Sequence, residues 1–436
     1  MRRPGKSERG VALLMVVVSI AILAAVAAEF AFNSRVDLEL AVHQRDALRA
    51  EYLAKSSLGM ARLLLMFQKQ LDKNPLNIPG LNIPGLSGTT GTSGAAGITG
   101  AAAAASSAFN VQLWRLARVD CHMLEALLPQ ERDLSAKLRG SAPRETDAEG
   151  RMKYGGFAGC FDARIQDEQE KLNVNALAGL QTGTAQGAVQ RLYKLITDKR
   201  FEFVFDREDA NRVRVMPPDV VLGLKDWVDD DETQSSLNVN SLGVVTLQNG
   251  FSDEAGLYSR YTPRYRPKNA SFDSLGELFL VNGVGDRFMA AFGDRLTVYP
   301  DPNAPLNVNS DDPLILALAI QSIADPNKPD PRLLDPVFLD GIIQKIRAAR
   351  ALTPLGMTVQ DFVTIVQQAG VGVNSLVLQR QQGAGTANTF LGDKSDTFRV
   401  VATGQAGNVE HRVTAVIRLK DPQQDGLGRV LYWRDN

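Results

Sequence analysis

Histidine and cysteine are scarce in this chain of 436 residues, which holds three of the first and two of the second. His43, His122 and His411 fall in no metalloprotease spacing, and Cys121 and Cys160 sit in no Cys-x-x-Cys pair or other metal-ligand spacing, which excludes the short zinc motifs. A nucleophile elbow is absent, and so is a phosphate-binding loop with its lysine, so the usual signatures of serine hydrolases and nucleotide-driven enzymes are missing. Charge of one sign is not in surplus either. The formal net charge is −1, and the total gives no electrostatic pull toward nucleic acid or an anionic membrane. Length and a hydrophobic content of 44% suffice for two or three domains with a real core.

What stands out is one apolar run. Eighteen uncharged residues lead from Val11 to Ala28, and at a helical rise of about 1.5 Å per residue they span roughly 27 Å, close to the thickness of a bilayer's hydrocarbon core. The leader before them carries Arg2, Arg3, Lys6 and Arg9 against Glu8 alone, which predicts a cytoplasmic N-terminus and an external C-terminal part. A cleaved signal peptide is the rival, with Ala24 to Ala28 as its cleavage region. The Gly10/Val11 junction lies before the apolar run instead. In this it resembles the type IV pilin and pseudopilin class, whose prepilin peptidase cuts after a glycine and methylates the new N-terminus. Most members of that class carry Glu at the fifth mature position, where this chain has Met15. A carboxylate in lipid costs several kcal/mol, of the order of 3, unless paired, so a subunit without a neighbour on that side gains by losing it. Such a subunit belongs at a filament end.

Beyond Ala28 the pattern turns amphipathic. Val36, Leu40, Ala47, Ala50, Ala54, Leu58, Ala61 and Leu65 share one stripe at helical periodicity, which predicts one helix from Val11 to about Lys69 and places His43 on its buried face. Small residues at Ala21, Ala24, Ala25 and Ala28 would admit close neighbouring helices. From about 74 to 107 the chain is Gly, Ala, Ser, Thr and Pro, with too little apolar bulk to offset ordering entropy. Phe109 to Leu128 reads as helical, with Trp114 and Leu124 as packing residues, and Phe157 to Ile165 alternates as a strand. Three apolar stripes between Pro313 and Gln368 predict packed helices. Thr397–Val401 and Val409–Leu419, around Gly404 to Gly407, predict a hairpin that rejoins the strand near Phe157. Cys121 and Cys160 lie in the part expected outside the cytoplasm, where either a disulfide or two unpaired thiols fits.

Three copies of one tetrapeptide punctuate the rest: Leu172-Asn173-Val174-Asn175, Leu237-Asn238-Val239-Asn240 and Leu306-Asn307-Val308-Asn309. Each reads as a short strand leading into an Asn-capped helix. Together with Asp167-Glu168 before the first copy, the run Asp226-Trp227-Val228-Asp229-Asp230-Asp231, the stretch Tyr261 to Asn269 and Phe272 to Gly283, this order resembles the general secretion pathway protein K family, the large minor pseudopilin of the type II secretion system.

That resemblance implies an α+β, pilin-like fold, a long N-terminal helix plus an antiparallel sheet, with a large inserted all-α domain of two sterile-alpha-motif-like or helix-hairpin-helix-like modules. The expected layout is a leader at 1–10, a transmembrane part at 11–28, a periplasmic helix at 29–73 and a low-complexity loop at 74–107. A first pilin-like part covers 108–175, the insertion 176–390 has modules at about 176–300 and 306–390, and the C-terminal strands occupy 391–436. The implied role is non-enzymatic: a subunit at the tip of a periplasmic pseudopilus, starting or capping assembly with the I and J subunits and the major pseudopilin, and facing the secretin or secreted substrates. The inner membrane would hold its anchor.

Calcium is the implied cofactor. Asp226, Asp229 and Asp231, joined by Asp253 and Glu254 from the next loop, offer the oxygen ligands this ion prefers, although the glycine and distant glutamate of an EF-hand are missing. A solvated acidic turn is the bland alternative, and Gln234, where the family usually has proline, departs from the pattern. The glycine turn at 283–285 also fits a DNA-binding helix-hairpin-helix. Its flanks carry Asp273, Glu277, Asp286 and Asp294 against Arg287 and Arg295, which is not a phosphate-binding surface, so no nucleic-acid partner is expected.

Overall fold

The computed structural model describes residues 9–73, 112–121, 153–154, 157–178, 183–208, 214–240, 243–352, 356–381, 390–420 and 426–436. The leader up to residue 8, the low-complexity stretch, His122 and Leu124 lie outside these residues.

A single helix, α1 (Arg9–Lys73), runs through the first 65 described positions. It holds no proline and one glycine beyond Gly10, and Pro75 comes just past its end, where a helix cannot easily continue. Its two halves differ. From Leu13 to Leu40 the apolar side chains are exposed, Leu13 at 68% and Phe30 at 73%, whereas Ala50, Leu53, Ala54, Leu58, Ala61 and Leu65 are buried. The helix is long and apolar enough to cross a membrane. The buried stripe begins at Asp46, later than periodicity suggests, so Val36, Leu40 and His43 are exposed. The reason is geometric: among the described residues, no strand reaches below the level of Asp46.

Leu113–Leu116 forms one helical turn instead of the longer helix expected there, because Val119–Asp120 (β1) leaves to pair antiparallel with Cys160–Asp167 (β2). Trp114 still packs, edge-on, against Phe398 with ring centroids 5.5 Å apart. After β2 come the helices α2 (Gly183–Ile196) and α3 (Pro217–Val228), then the hairpin of β3 (Thr233–Val239) and β4 (Val245–Asp253). The segment Asp286–Phe292 (α4) comes after the turn at Gly283, whose φ of +85° suits a residue without Cβ. Three further helices, α5 (Pro313–Ile323), α6 (Pro336–Leu352) and α7 (Val359–Gln368), occupy the expected stripes. The chain then returns to the sheet with β5 (Thr397–Ala406), β6 (Val409–Arg418) and β7 (Arg429–Asp435).

The sheet order is β1-β2-β5-β6-β7. Strands β2 and β5 are neighbours, with Val400 opposite Ile165 and Phe398 opposite Asp167, so residues 168–396 enter between two adjacent strands. The C-terminal half of α1 lies across this sheet, and Leu58, Leu65, Ala163, Val400, Val413 and Ile417 share one core. The hairpin turn is Gly407-Asn408. Gly404 lies inside β5, where the helix backbone presses on it.

The first and third tetrapeptides are structurally equivalent. Asn173 caps the turn at Asn175 and Asn307 caps the one at Asn309, at 2.9 and 3.0 Å. Asn175 then bridges to the Phe272 backbone, accepting its N–H at 2.8 Å and donating to its carbonyl at 3.1 Å; Asn309 treats Met357 the same way, at 2.7 and 3.0 Å. The second copy departs from the expectation. It ends β3, and Asn240 accepts the Val244 N–H in the hairpin turn, since β-pairing with β4 takes the place of a helix.

A buried polar joint connects insertion to sheet. Asp167 accepts hydrogen bonds from Ser395 Oγ at 2.5 Å and Asn307 Nδ2 at 2.9 Å, and Glu168 accepts from Arg399 at 2.5 Å and Lys171 at 3.1 Å. Burial pushes the Asp167 carboxyl up to about 6, against the pull of these donors. Glu168 lies below its usual range: the cations Lys171 and Arg399 outweigh its desolvation, the largest single influence.

Candidate metal centre

Two elements bring the acidic residues together. Helix α3 starts on Pro217 and ends at Val228, placing Asp226 in its last turn and Asp229 at its C-cap. The β3–β4 hairpin lies between the acidic run and Glu254. It folds back on itself, so that Thr233 pairs with Asp253 and the Glu254 N–H reaches the Glu232 carbonyl at 3.4 Å. A Cβ at Gly250 would stand 2.1 Å from the Gln234 carbonyl oxygen, so glycine is what lets the strands close at this bulge.

Asp226, Asp229 and Glu254 are all buried, and one oxygen from each lies within 4.8 Å of the other two. Much of their hydrogen-bonding capacity is unused: Asp226 Oδ2, Asp229 Oδ1 and both Glu254 oxygens are buried without a hydrogen-bond partner among the described residues. Asp231 Oδ2, Ser235 Oγ and Asn269 Oδ1 share that condition. The other oxygens are spent. Asp226 Oδ1 accepts the Ser235 N–H at 3.1 Å, Asp231 Oδ1 accepts the Thr233 N–H at 2.8 Å, and Asp229 Oδ2 pairs with the fully buried Lys225 ammonium.

Four carboxylates therefore face one ammonium. Desolvation first, then the charges of Asp226, Asp229 and Asp231, push Glu254 up to about 8; desolvation also raises Asp226 to about 6 and Asp229 above its usual value. An unsatisfied buried oxygen costs about 1–3 kcal/mol. A hard dication that takes oxygen ligands would relieve both the repulsion and the unmet acceptors, so the donor set fits calcium.

Asp253 does not join the group. It is exposed, and its Oδ1 caps the Ala255 N–H at 2.8 Å. Asp231 stands just outside the three converging carboxylates and contributes mainly charge. Lys225, Ser235 and Asn269 border the site without having been singled out in the sequence. The Lys225–Asp229 spacing of four was the legible signal for one of them, and Asn269, in the left-handed region at φ 49°, sits in the stretch Tyr261 to Asn269 already noted. Trp227 anchors the floor, stacked on Phe272 at 6.1 Å and edge-on to Tyr258 at 5.6 Å. Elsewhere, Cys121 and Cys160 are joined by a disulfide, with Cα atoms 5.5 Å apart.

Taken with its fold, the chain is of the class in which one long N-terminal helix backs an antiparallel sheet and carries a large insertion; the insertion is mainly helical, not all-α as expected, because the β3–β4 hairpin lies within it. No family model and no curated protein matches the sequence. Among solved structures it is similar to a chain in the crystal structure of the GspK-GspI-GspJ complex from the enterotoxigenic Escherichia coli type 2 secretion system. The identity is 18%, the match covers 72% of this chain and 90% of that one, and the TM-score is 0.37.

Proposed function

We propose that this chain is a non-enzymatic minor pseudopilin of a type II secretion system, anchored in the inner membrane by residues 11–28 after cleavage between Gly10 and Val11. In this reading it stands at the tip of the pseudopilus, with the I and J subunits beside it and the major pseudopilin below, and starts or caps assembly to support export across the outer membrane. The observation that carries the reading is the division of α1. The half from Ala50 to Leu65 forms the spine of the chain's own core, while the apolar half from Leu13 to Leu40 is exposed to whatever surrounds it. In a bilayer, small residues at Ala21, Ala24, Ala25 and Ala28 give neighbouring helices a close approach. Met15 removes the carboxylate that a subunit above would have to meet, and the insertion of residues 168–396 sets a bulky body on the sheet.

Calcium in the carboxylate group of Asp226, Asp229 and Glu254 would act structurally, tying the end of α3 to the base of the β3–β4 hairpin. Co-expression of the full-length chain with the I and J subunits, then affinity purification in detergent, tests the assembly. A stable ternary complex is the expected result, and recovery of the chain alone would sink the proposal.

A further inference from the structure

Between the first tetrapeptide, α2 and the loop 300–306 lies a cleft of about 310 Å³, at the lower end of the size range of ligand sites. Its walls are mixed, with an apolar side from Leu172, Leu177, Leu192, Pro302 and Pro305, and most of its polar groups are engaged: the Asp301 carboxylate, which also lines it, accepts the Asn303 N–H at 2.9 Å. Asn173 Nδ2 donates to the Pro300 carbonyl at 2.9 Å, Gln169 bonds the Pro305 carbonyl and the Asp396 N–H, and Lys171 pairs with Glu168. Arg191 is the exception.

The Arg191 guanidinium lines this cleft and lies over the Phe390 ring, 3.5 Å from its centroid. It has neither a carboxylate nor a hydrogen-bond acceptor among the described residues. Burial alone pulls it down, to about 9. The adjoining stretches 179–182 and 382–389, outside the described residues, contain no Asp or Glu, so their sequences supply no counter-charge. Gly187, one turn earlier on α2, gives the guanidinium its space: a Cβ there would stand 2.9 Å from Arg191 Nη1. A glycine inside a helix costs about 1 kcal/mol relative to alanine. An aromatic plate that orients the fork, a glycine beside it and a half-buried guanidinium with no carboxylate partner among the described residues are together the parts of a carboxylate receptor.

We propose that this cleft binds a peptide carboxylate carried by a small apolar segment, with Arg191 as the charge partner and Phe390 holding its plane. The carboxylate can come from a chain end or from an acidic side chain, and the same experiment separates the two sources. The site is remote in sequence from the acidic group at the end of α3 and does not depend on the pseudopilin reading.

The test measures fluorescence anisotropy of labelled peptides with the detergent-solubilised full-length protein. The probes are Ala-Ala-Leu with a free C-terminus, the same peptide as its C-terminal amide, and Ala-Glu-Leu amide. The expected result is binding of at least one carboxylate peptide, at least about tenfold tighter than the amide. If only Ala-Ala-Leu binds, the source is a chain end; if only Ala-Glu-Leu amide binds, it is a side chain. Arg191→Gln should abolish the preference with at most a small drop in melting temperature, since no ion pair is lost and only the contact with the Phe390 ring goes. Gly187→Ala should weaken binding while holding or raising the melting temperature, which a structural role for Arg191 would not produce. Equal binding of acid and amide, no binding of any probe, or wild-type preference in both variants would overturn the proposal.

Discussion

Gly404 in β5 and Ala50 in α1 are packed backbone to backbone: a Cβ on Gly404 would stand 2.0 Å from the Ala50 carbonyl oxygen and 2.5 Å from the Ala54 amide nitrogen. Neither neighbour can swing aside, because both atoms belong to a continuous helix. Gly404→Ala is therefore expected to destabilise the protein by about 3 kcal/mol or more, by forcing helix and sheet apart. Chemical denaturation of the purified chain reads this directly, and a change under about 0.5 kcal/mol would mean that the helix does not sit where described.

The carboxylate group at the end of α3 predicts effects of opposite sign with and without calcium. Without the ion, Glu254 is mostly protonated at neutral pH, so the neutral amide of Glu254→Gln replaces it closely and should leave stability unchanged or raised. With calcium at about a hundred times its dissociation constant, the wild-type protein should gain roughly 2.7 kcal/mol and the variant much less. Thermal melts with calcium and with chelator check both halves; the same melting curve for wild type in both conditions removes the ion from the account.

Asn175 and Asn309 do equivalent work and should show equivalent costs. Replacing either with alanine leaves a buried backbone N–H and a buried carbonyl without their partner, an expected loss of about 2–3 kcal/mol. Asn240, from the same motif, is exposed in a hairpin turn, and Asn240→Ala should cost less than about 1 kcal/mol. Denaturation of the three variants side by side makes the comparison.

That contrast also shows where sequence reading stops. The Leu-Asn-Val-Asn pattern is identical in three places, but each last asparagine's partner is set by what packs against it: Phe272 and Met357, 97 and 48 positions later, for the first and third copies, and Val244 across the turn for the second. A helical module comes after the first and third copies, and β4 after the second. The long helix, the hairpin 397–419 and its return to the strand near Phe157 were legible, because periodicities of 3.6 and 2 carry them. The depth at which α1 becomes buried was not, because it depends on how far strands from the other end of the chain reach. In the site, Asp226, Asp229 and Glu254 were nameable as an acidic set, whereas Asp253 could be separated from them only once its carboxylate was seen capping Ala255. Arg191 carried no motif at all; its meaning comes from Phe390, 199 positions later.

Asp167 predicts a pH dependence. Its folded-state value, about 6, lies above the ordinary carboxylate value of 3.8, so the folded protein binds the proton more tightly than the unfolded chain. The stability that this proton provides is present below pH 3.8 and lost as pH rises through 6, on the order of 2–3 kcal/mol. Glu168, lowered, acts in the opposite direction but below its own ordinary value of 4.5. Carboxyl NMR of Asp167 should give a midpoint well above 4, and a midpoint at or below 3.8 would refute the assignment.

The disulfide closes a chain segment with a sequence separation of 39, and in the chain-entropy picture contributes about 4 kcal/mol. Cys121→Ala with Cys160→Ala should lower the melting temperature, and reducing agent should then have no further effect on the variant. An unchanged melting temperature would show that the crosslink does not constrain the unfolded chain.

The measurement that bears most directly on the central claim is the position of this chain in assembled filaments, read by gold-labelled antibody against the insertion in electron micrographs of intact pseudopili. The account predicts one label at one end of each filament, with none along the shaft. Labels at regular intervals along the shaft would contradict it.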